Sequence, residues 1–288
     1  MRVVNYVLID GFNMCARYDW RNLYYDGLKV SMLYDGVRAL LRYFKEYRSA
    51  EVNILWDRGT SWRKQVWSGY KASRKKKRIE AGDGDDFIKR VEEFRHVVKA
   101  LGVDQYYQDG MEADDLAAYI VHNYEYESLV LVSTDSDWYQ LVTDGQNGRG
   151  KVTILSGKVE LDYSAVKKKL GYAPQGMAVY KALKGDKADD ISGIRGYPVD
   201  LAKGVANSVT DIAHLDNIPG LSEKEARNHR WLLDRNYEIT LLDGSRVNPD
   251  LIEIDEGAYD DMLLMTVFGR YGMHTILSEL GLEGSDAT

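Results

Sequence analysis

The chain has 288 residues, a formal net charge of −7, 44% hydrophobic residues and 29% charged ones. That suffices for one large domain or two modest ones with a sizeable core. No apolar run approaches the ~18 residues of a membrane span, and MRVVNYVLIDGFN is broken by Asp10 too early for a signal peptide. The single cysteine, Cys15, excludes an internal disulfide, so a reducing, cytoplasmic setting is expected.

The first predicted element is an apolar run at 3–9 that ends at Asp10. Leu33, Val37, Leu40, Leu41 and Phe44 then recur at helical spacing over 30–47. A second run at 52–56 leads into Asp57. Residues 58–78 follow, with nine Lys or Arg and no acid, and with Trp62, Trp67 and Tyr70 among them. Helical spacing returns over 86–101 and again over 112–124, the latter opening on Glu112, Asp114 and Asp115. A third apolar run at 129–133 precedes Asp135 and Asp137. Residues 152–161 read as a hairpin with a Ser-Gly turn, and from about 162 onward short helical pieces alternate with loops.

Short β-branched runs alternating with helical stretches predict an α/β fold with a mostly parallel sheet flanked by helices. Such sheets bind ligands beyond the carboxyl ends of their strands, where Asp10, Asp57 and Asp135 are predicted to stand. Glu112, Asp114 and Asp115 open a helix, where capping is the plainer role. Asp186 and Asp189 add a third cluster in KALKGDKADDISGI. Nine acids in one place repel one another unless cations lie between them, and oxygen-only donors suit hard divalent ions. The histidines, His96 and His122 among them, fall outside these motifs. The basic segment supplies a local footprint for phosphates despite the net negative charge, and its aromatic residues are candidates for stacking on unpaired bases.

EADD, STDSDW about twenty residues later and GDKADD-I-x-G-I about fifty after that resemble the flap endonuclease or 5′–3′ exonuclease family. The likeness is greatest to stand-alone bacteriophage members and to the 5′-nuclease domains of bacterial family A DNA polymerases, and it spans essentially the whole chain. It implies a PIN-like 5′-nuclease fold over 1–175 with a helical arch at about 58–90. It also implies a helical DNA-binding region over 176–288, with a helix–hairpin–helix-like motif at about 190–203. The implied cofactors are two Mg²⁺, with Mn²⁺ as a substitute: Asp10, Asp57, Glu112, Asp114 and Asp115 match the first site, and Asp135, Asp137, Asp186 and Asp189 the second. Asp190, beside the motif, is expected to be structural or to lie outside the metal ligands.

In the arch, Lys71 and Arg74 match basic residues that reach the scissile phosphate, and Tyr70 an aromatic next to them. Lys75, Lys76, Lys77 and Arg78 are expected to be general phosphate contacts, and GDGDD at 82–86 a turn and helix cap. Gly193 and Gly196 match the hairpin that meets duplex phosphates, often with K⁺. Tyr197-Pro198-Val199 replaces its second glycine pair, and Pro198 has no N–H to offer, which argues against K⁺ here. The expected substrate is DNA with a 5′ single-stranded flap or end, with RNA primers as a further one. A stand-alone monomer is expected, since no polymerase-like extension is present. Two rival readings stay open: a DNA-binding protein with little catalysis, and a PIN-type ribonuclease.

Overall fold

The computed structural model describes residues 4–73, 84–145, 150–214 and 218–282. The strands are β1 (Tyr6–Asp10), β2 (Tyr24–Tyr25), β3 (Leu28–Lys29), β4 (Glu51–Leu55), β5 (Asp104–Tyr107), β6 (Ser128–Val132), β7 (Lys151–Ser156), β8 (Val159–Leu161), β9 (Gly185–Asp186), β10 (Ile191–Ser192) and β11 (Glu253–Asp255). The helices are α1 (Gly11–Asp19), α2 (Ser31–Glu46), α3 (Arg63–Val66), α4 (Gly84–Ala100), α5 (Ala113–Asn123), α6 (Tyr163–Leu170), α7 (Met177–Lys184), α8 (Val199–Ser208), α9 (Glu223–Thr240), α10 (Asp261–Arg270) and α11 (His274–Leu280).

A seven-stranded sheet in the order β11-β5-β4-β1-β6-β7-β8 forms the centre. Strands β5, β4, β1, β6 and β7 run parallel, and the edge strands β11 and β8 antiparallel. The expected mostly parallel α/β sheet is therefore present. The chain lays β4 and β5 on one side of β1 and then returns to lay β6 and β7 on the other. The switch point is β1, and a crevice forms there beyond the strand ends.

Alternation along the strands explains the continuous apolar runs. Val7 and Ile9 of β1, with Val130 and Val132 of β6, face the core under α1, α2 and α4. Leu8, Leu129 and Leu131 face the opposite core under α5. A strand buried on both faces has no polar side to show. Strand β5 escaped the sequence reading because DQYY has no apolar run; its Gln105 is buried and accepts a hydrogen bond from Trp56 Nε1 at 3.0 Å.

The expected hairpin is β7 and β8, turning at Gly157 with φ +74°. Past residue 175 a third apolar cluster forms from α7, α8 and α9, with Val179, Leu183, Ala202 and Leu233. The chain then returns to the sheet: β11 pairs with β5, and Leu264, Phe268, Ile276 and Leu277 join the core under α2 and α4. No helix among the described residues is long and apolar enough to cross a membrane.

Candidate metal centre

Asp10 ends β1 and caps α1, accepting from the Asn13 amide at 3.0 Å and from the Ser133 hydroxyl at 2.9 Å. Its neighbour Gly11 packs on the Trp56 ring, where a Cβ would come within 2.5 Å. That close approach sets α1 directly against the end of β4. Asp57 follows Trp56 and accepts from the Ala113 amide at 2.8 Å, tying β4 to the start of α5. Asp114 accepts from Trp138 Nε1 at 2.6 Å. Asp135 caps the short helix Ser136–Leu141 through the Asp137 amide. Asp10, Asp57, Glu112, Asp114 and Asp135 line one cavity of about 490 Å³, with Lys71 as the cation reaching into it.

Beside this cavity, one carboxylate oxygen from each of Asp137, Asp186 and Asp189 lies within 4.8 Å of the others. The Lys181 ammonium sits among these acids, 2.6 Å from Asp186 and in direct contact with Asp137. Lys181 escaped the sequence reading. A signal was present, since Met177 and Ala178, four and three residues before it, put it on an apolar helix face, where a buried lysine needs acidic partners.

Two acids lie apart from the groups the resemblance implied for them. Asp135, assigned to the second group, lines the first cavity. Asp115, assigned to the first, is withdrawn from it: both its oxygens receive the buried Arg63 guanidinium at 2.8 Å, and one also accepts from the Glu112 amide at 3.0 Å and Trp62 Nε1 at 3.3 Å. Those donors hold the carboxylate against Arg63 and outside the residues that line the cavity. Arg63 also donates to the Ile239 carbonyl at 2.8 Å, anchoring α5 to α9.

Tyr70 is corrected too. Its ring is 3% exposed, packed with Ile191 and Ile239, and its hydroxyl donates to Glu112 at 3.0 Å. That burial leaves its ring without an open face for a base. Trp62 is likewise buried. The Lys71 ammonium lies 2.9 and 3.0 Å from the Glu112 oxygens. Its backbone is left-handed at φ +51°, a conformation costing about 1–2 kcal/mol for such a residue. Two bonds hold it there: Lys71 N–H to the Asp189 carbonyl at 3.0 Å, and Ser73 N–H to the Asp190 carboxylate at 2.8 Å. Asp190 thus has the structural role expected of it. Arg74, Lys75, Lys76, Lys77, Arg78 and residues 82–83 lie outside the described residues.

At the C-terminal hairpin, α7 and α8 flank β9 and β10. Gly193 packs on the Lys184 backbone, where a Cβ would come within 2.1 Å, while Gly196 is exposed with φ +75°. Pro198 stands at the N-cap of α8 and so brings no N–H there. His96 and His122 bond to the backbone carbonyls of Glu92 and Asp243, away from the acids.

The electrostatics suit cations. Burial pushes the Asp10 carboxyl up to about 7, with Asp57 adding repulsion. Burial likewise raises Asp114 and Asp137. Burial would also raise Glu112, but Lys71 and Arg63 outweigh it and hold Glu112 low. A carboxyl raised in the folded chain keeps a proton that the unfolded chain has lost. Stability from Asp10 therefore falls as pH rises from about 4 to about 7. In EDTA, urea unfolding is expected to show this loss, and Asp10→Asn to flatten it. Divalent-ion affinity should show the opposite slope, rising up to pH ~7 as the proton is displaced. Calorimetric titration checks this, and a pH-independent affinity would contradict it.

The family described as "5′-3′ exonuclease, N-terminal resolvase-like domain" matches residues 5–171. Over 216 residues the chain is 30% identical to DNA polymerase I of Pseudomonas aeruginosa, covering 72% of this chain and 22% of that protein. It is 26% identical over 287 residues to DNA polymerase I of Chloroflexus aurantiacus, covering 91% of this chain and 29% of that one. The chain thus spans under a third of these two relatives.

A T5 5′-exonuclease with bound zinc superposes with a TM-score of 0.69 at 24% identity, covering 83% of this chain and 90% of that one. A bacteriophage T5 flap endonuclease in a pseudo-enzyme–product complex with DNA and metal ions gives 0.68 at 21%, covering 96% and 98%. Flap endonuclease-1 from Methanococcus jannaschii gives 0.56 at 12%, covering 92% and 86%. These structures share the fold.

Proposed function

The chain belongs to the 5′–3′ exonuclease family, and from that premise we propose that it is a structure-specific 5′ nuclease. It hydrolyses phosphodiester bonds in DNA near the junction of a 5′ single strand and a duplex. The observation that carries this reading is the cavity at the β1 switch point, where five acids from four segments meet a lysine ammonium. The donor set fits hard divalent ions, being carboxylate oxygens gathered from several segments around one lysine. Asp10, Asp57, Glu112, Asp114 and Asp135 would hold one ion, and Asp137, Asp186 and Asp189 a second, with Mg²⁺ first and Mn²⁺ as substitute. Such ions supply Lewis acidity and neutralise charge on a phosphodiester under attack.

The chain's own groups supply the rest. Lys71 remains protonated: burial would lower its pKa, but Glu112, Asp114 and Asp189 hold it raised. A phosphate entering the cavity can take this ammonium from Glu112, freeing the Glu112 oxygen that Tyr70 does not hold. Asp115 and Arg63 keep Glu112 aimed at the cavity meanwhile. Lys181 has the matching position in the second group. Residues up to about 175, together with Lys181, Asp186 and Asp189, would carry the chemistry, and the rest of the following helical region the duplex, with the Gly193–Gly196 turn against its phosphates. Arg74 and the Lys75–Arg78 run would guide the single strand. Primer RNA, a monomeric state and a role in phage replication belong to the same reading.

Labelled 5′-flap, nicked and RNA-primed duplexes test it. Cleavage near the flap junction is expected with Mg²⁺, to cease in EDTA and to return when Mg²⁺ is restored. Cleavage that survives EDTA would overturn the metal reading. Flap DNA bound but uncut would favour a DNA-binding protein, and cleavage confined to RNA a ribonuclease.

A further inference from the structure

Helix α1 has a second open face that the acidic centre does not use. Asn13, Ala16, Arg17 and Trp20 recur at i, i+3, i+4 and i+7 and so form one stripe. Asn13 and Ala16 line the acidic cavity, and the same two residues line a separate open groove with Arg17, Trp20, Thr134, Ser156 and Gly157. The groove has a volume of about 550 Å³ and continues from the cavity toward the β7–β8 turn. Among the described residues no carboxylate lines it, in contrast to the five in the cavity, although the chain as a whole carries −7.

Trp20 is 84% exposed, and no aromatic ring or cation packs on it among the described residues. Tryptophan is seldom left this open, because most of its surface is apolar. Arg17 rests over the Tyr18 ring and has no carboxylate partner among the described residues. The Asn13 side-chain oxygen is held by Thr134, from N–H and hydroxyl at 3.0 Å each. Among the described residues its NH₂ has no acceptor, leaving a donor where cavity and groove meet.

We propose that this groove is a subsite for an unpaired nucleotide of the substrate strand. Its base stacks on Trp20, and its phosphate is held by Arg17 and the Asn13 amide. The proposal rests on the nuclease reading and extends it. A flat aromatic face serves any base, and one guanidinium beside it supplies the phosphate contact. From Asn13 to Trp20 the helix rises about 10 Å, so the stacked base lies close to the reacting phosphate without occupying the acidic centre. The lack of acids gives the strand a path that the cavity's own charge would otherwise oppose.

The test measures the enzyme concentration giving half-maximal single-turnover cleavage of a 5′-flap substrate in Mg²⁺. Trp20→Ala is expected to raise it about tenfold, the loss of one base–aromatic stack, and Trp20→Phe to recover most of this. Arg17→Ala should reduce the salt dependence by about one phosphate contact. A single abasic nucleotide is then walked one position at a time away from the junction. At one position wild type should weaken to the level of Trp20→Ala, while Trp20→Ala should be indifferent. No change in Trp20→Ala, or equal weakening at every abasic position, would overturn the subsite. Equal weakening on a nicked duplex with no unpaired strand would do the same. If wild type leaves flap DNA uncut, the nuclease reading itself fails, which is a different outcome from a cutting enzyme indifferent to Trp20.

Discussion

Lys71→Met is expected to slow cleavage of a 5′-flap substrate by about 10²–10³-fold, the usual cost of removing one aimed charge from a reacting oxyanion. DNA binding should weaken far less. In the free protein the ammonium is already paired with both Glu112 oxygens, so a phosphate exchanges one anionic partner for another. The net gain on binding is small, whereas charge developing on the phosphate during attack has no other cation so placed in the cavity among the described residues. The strained Lys71 backbone, pinned by Asp189 and Asp190, points the same way, because a group needed only for affinity gains little from such fixing. Measuring single-turnover rate and dissociation constant separately decides the matter. Equal loss in both would make Lys71 a phosphate anchor.

Arg63→Met should cost about 3–5 kcal/mol of stability, because it strands a buried carboxylate. Arg63 is 1% exposed and donates to both Asp115 oxygens and to the Ile239 carbonyl. Methionine fills the space but leaves Asp115 desolvated and unpaired. The double variant Arg63→Met with Asp115→Asn removes both charges and is expected to be more stable than Arg63→Met alone. Urea unfolding of the four proteins forms the cycle, and additive losses would contradict a coupled pair. Divalent-ion binding should weaken in the single variant as well. Glu112 takes its orientation from Asp115, Tyr70 and Lys71 together, and only two of these would remain in place.

The acids at strand ends were legible because local pattern governs them. A buried strand must be apolar on both faces, so its end shows as the first charged residue, as at Asp10, the last residue of β1. Asp57 and Asp135 follow β4 and β6 by a few residues for the same reason. Helix α5 was visible through its period and through Glu112, Asp114 and Asp115 in its first turns. Strand β5 was not, since its polar side chains find partners only once Trp56 is beside Gln105. The basic segment also misled in part. Arg63 and Tyr70 share its composition with Lys71, yet the fold buries the first two and opens the third to the cavity.

By itself, then, the sequence determined the parallel sheet, the order of its acids and their gathering at one edge, because period, burial and strand termination are local consequences of side-chain polarity. The tertiary structure alone decided which acids face the cavity. Asp114 and Asp115 are neighbours in the chain and identical in kind, but the helix turns them about 100° apart. One meets the cavity and Trp138, the other meets a buried guanidinium brought from 52 residues away. What a carboxylate can bind depends on what already occupies its oxygens, and that is fixed only when distant segments pack.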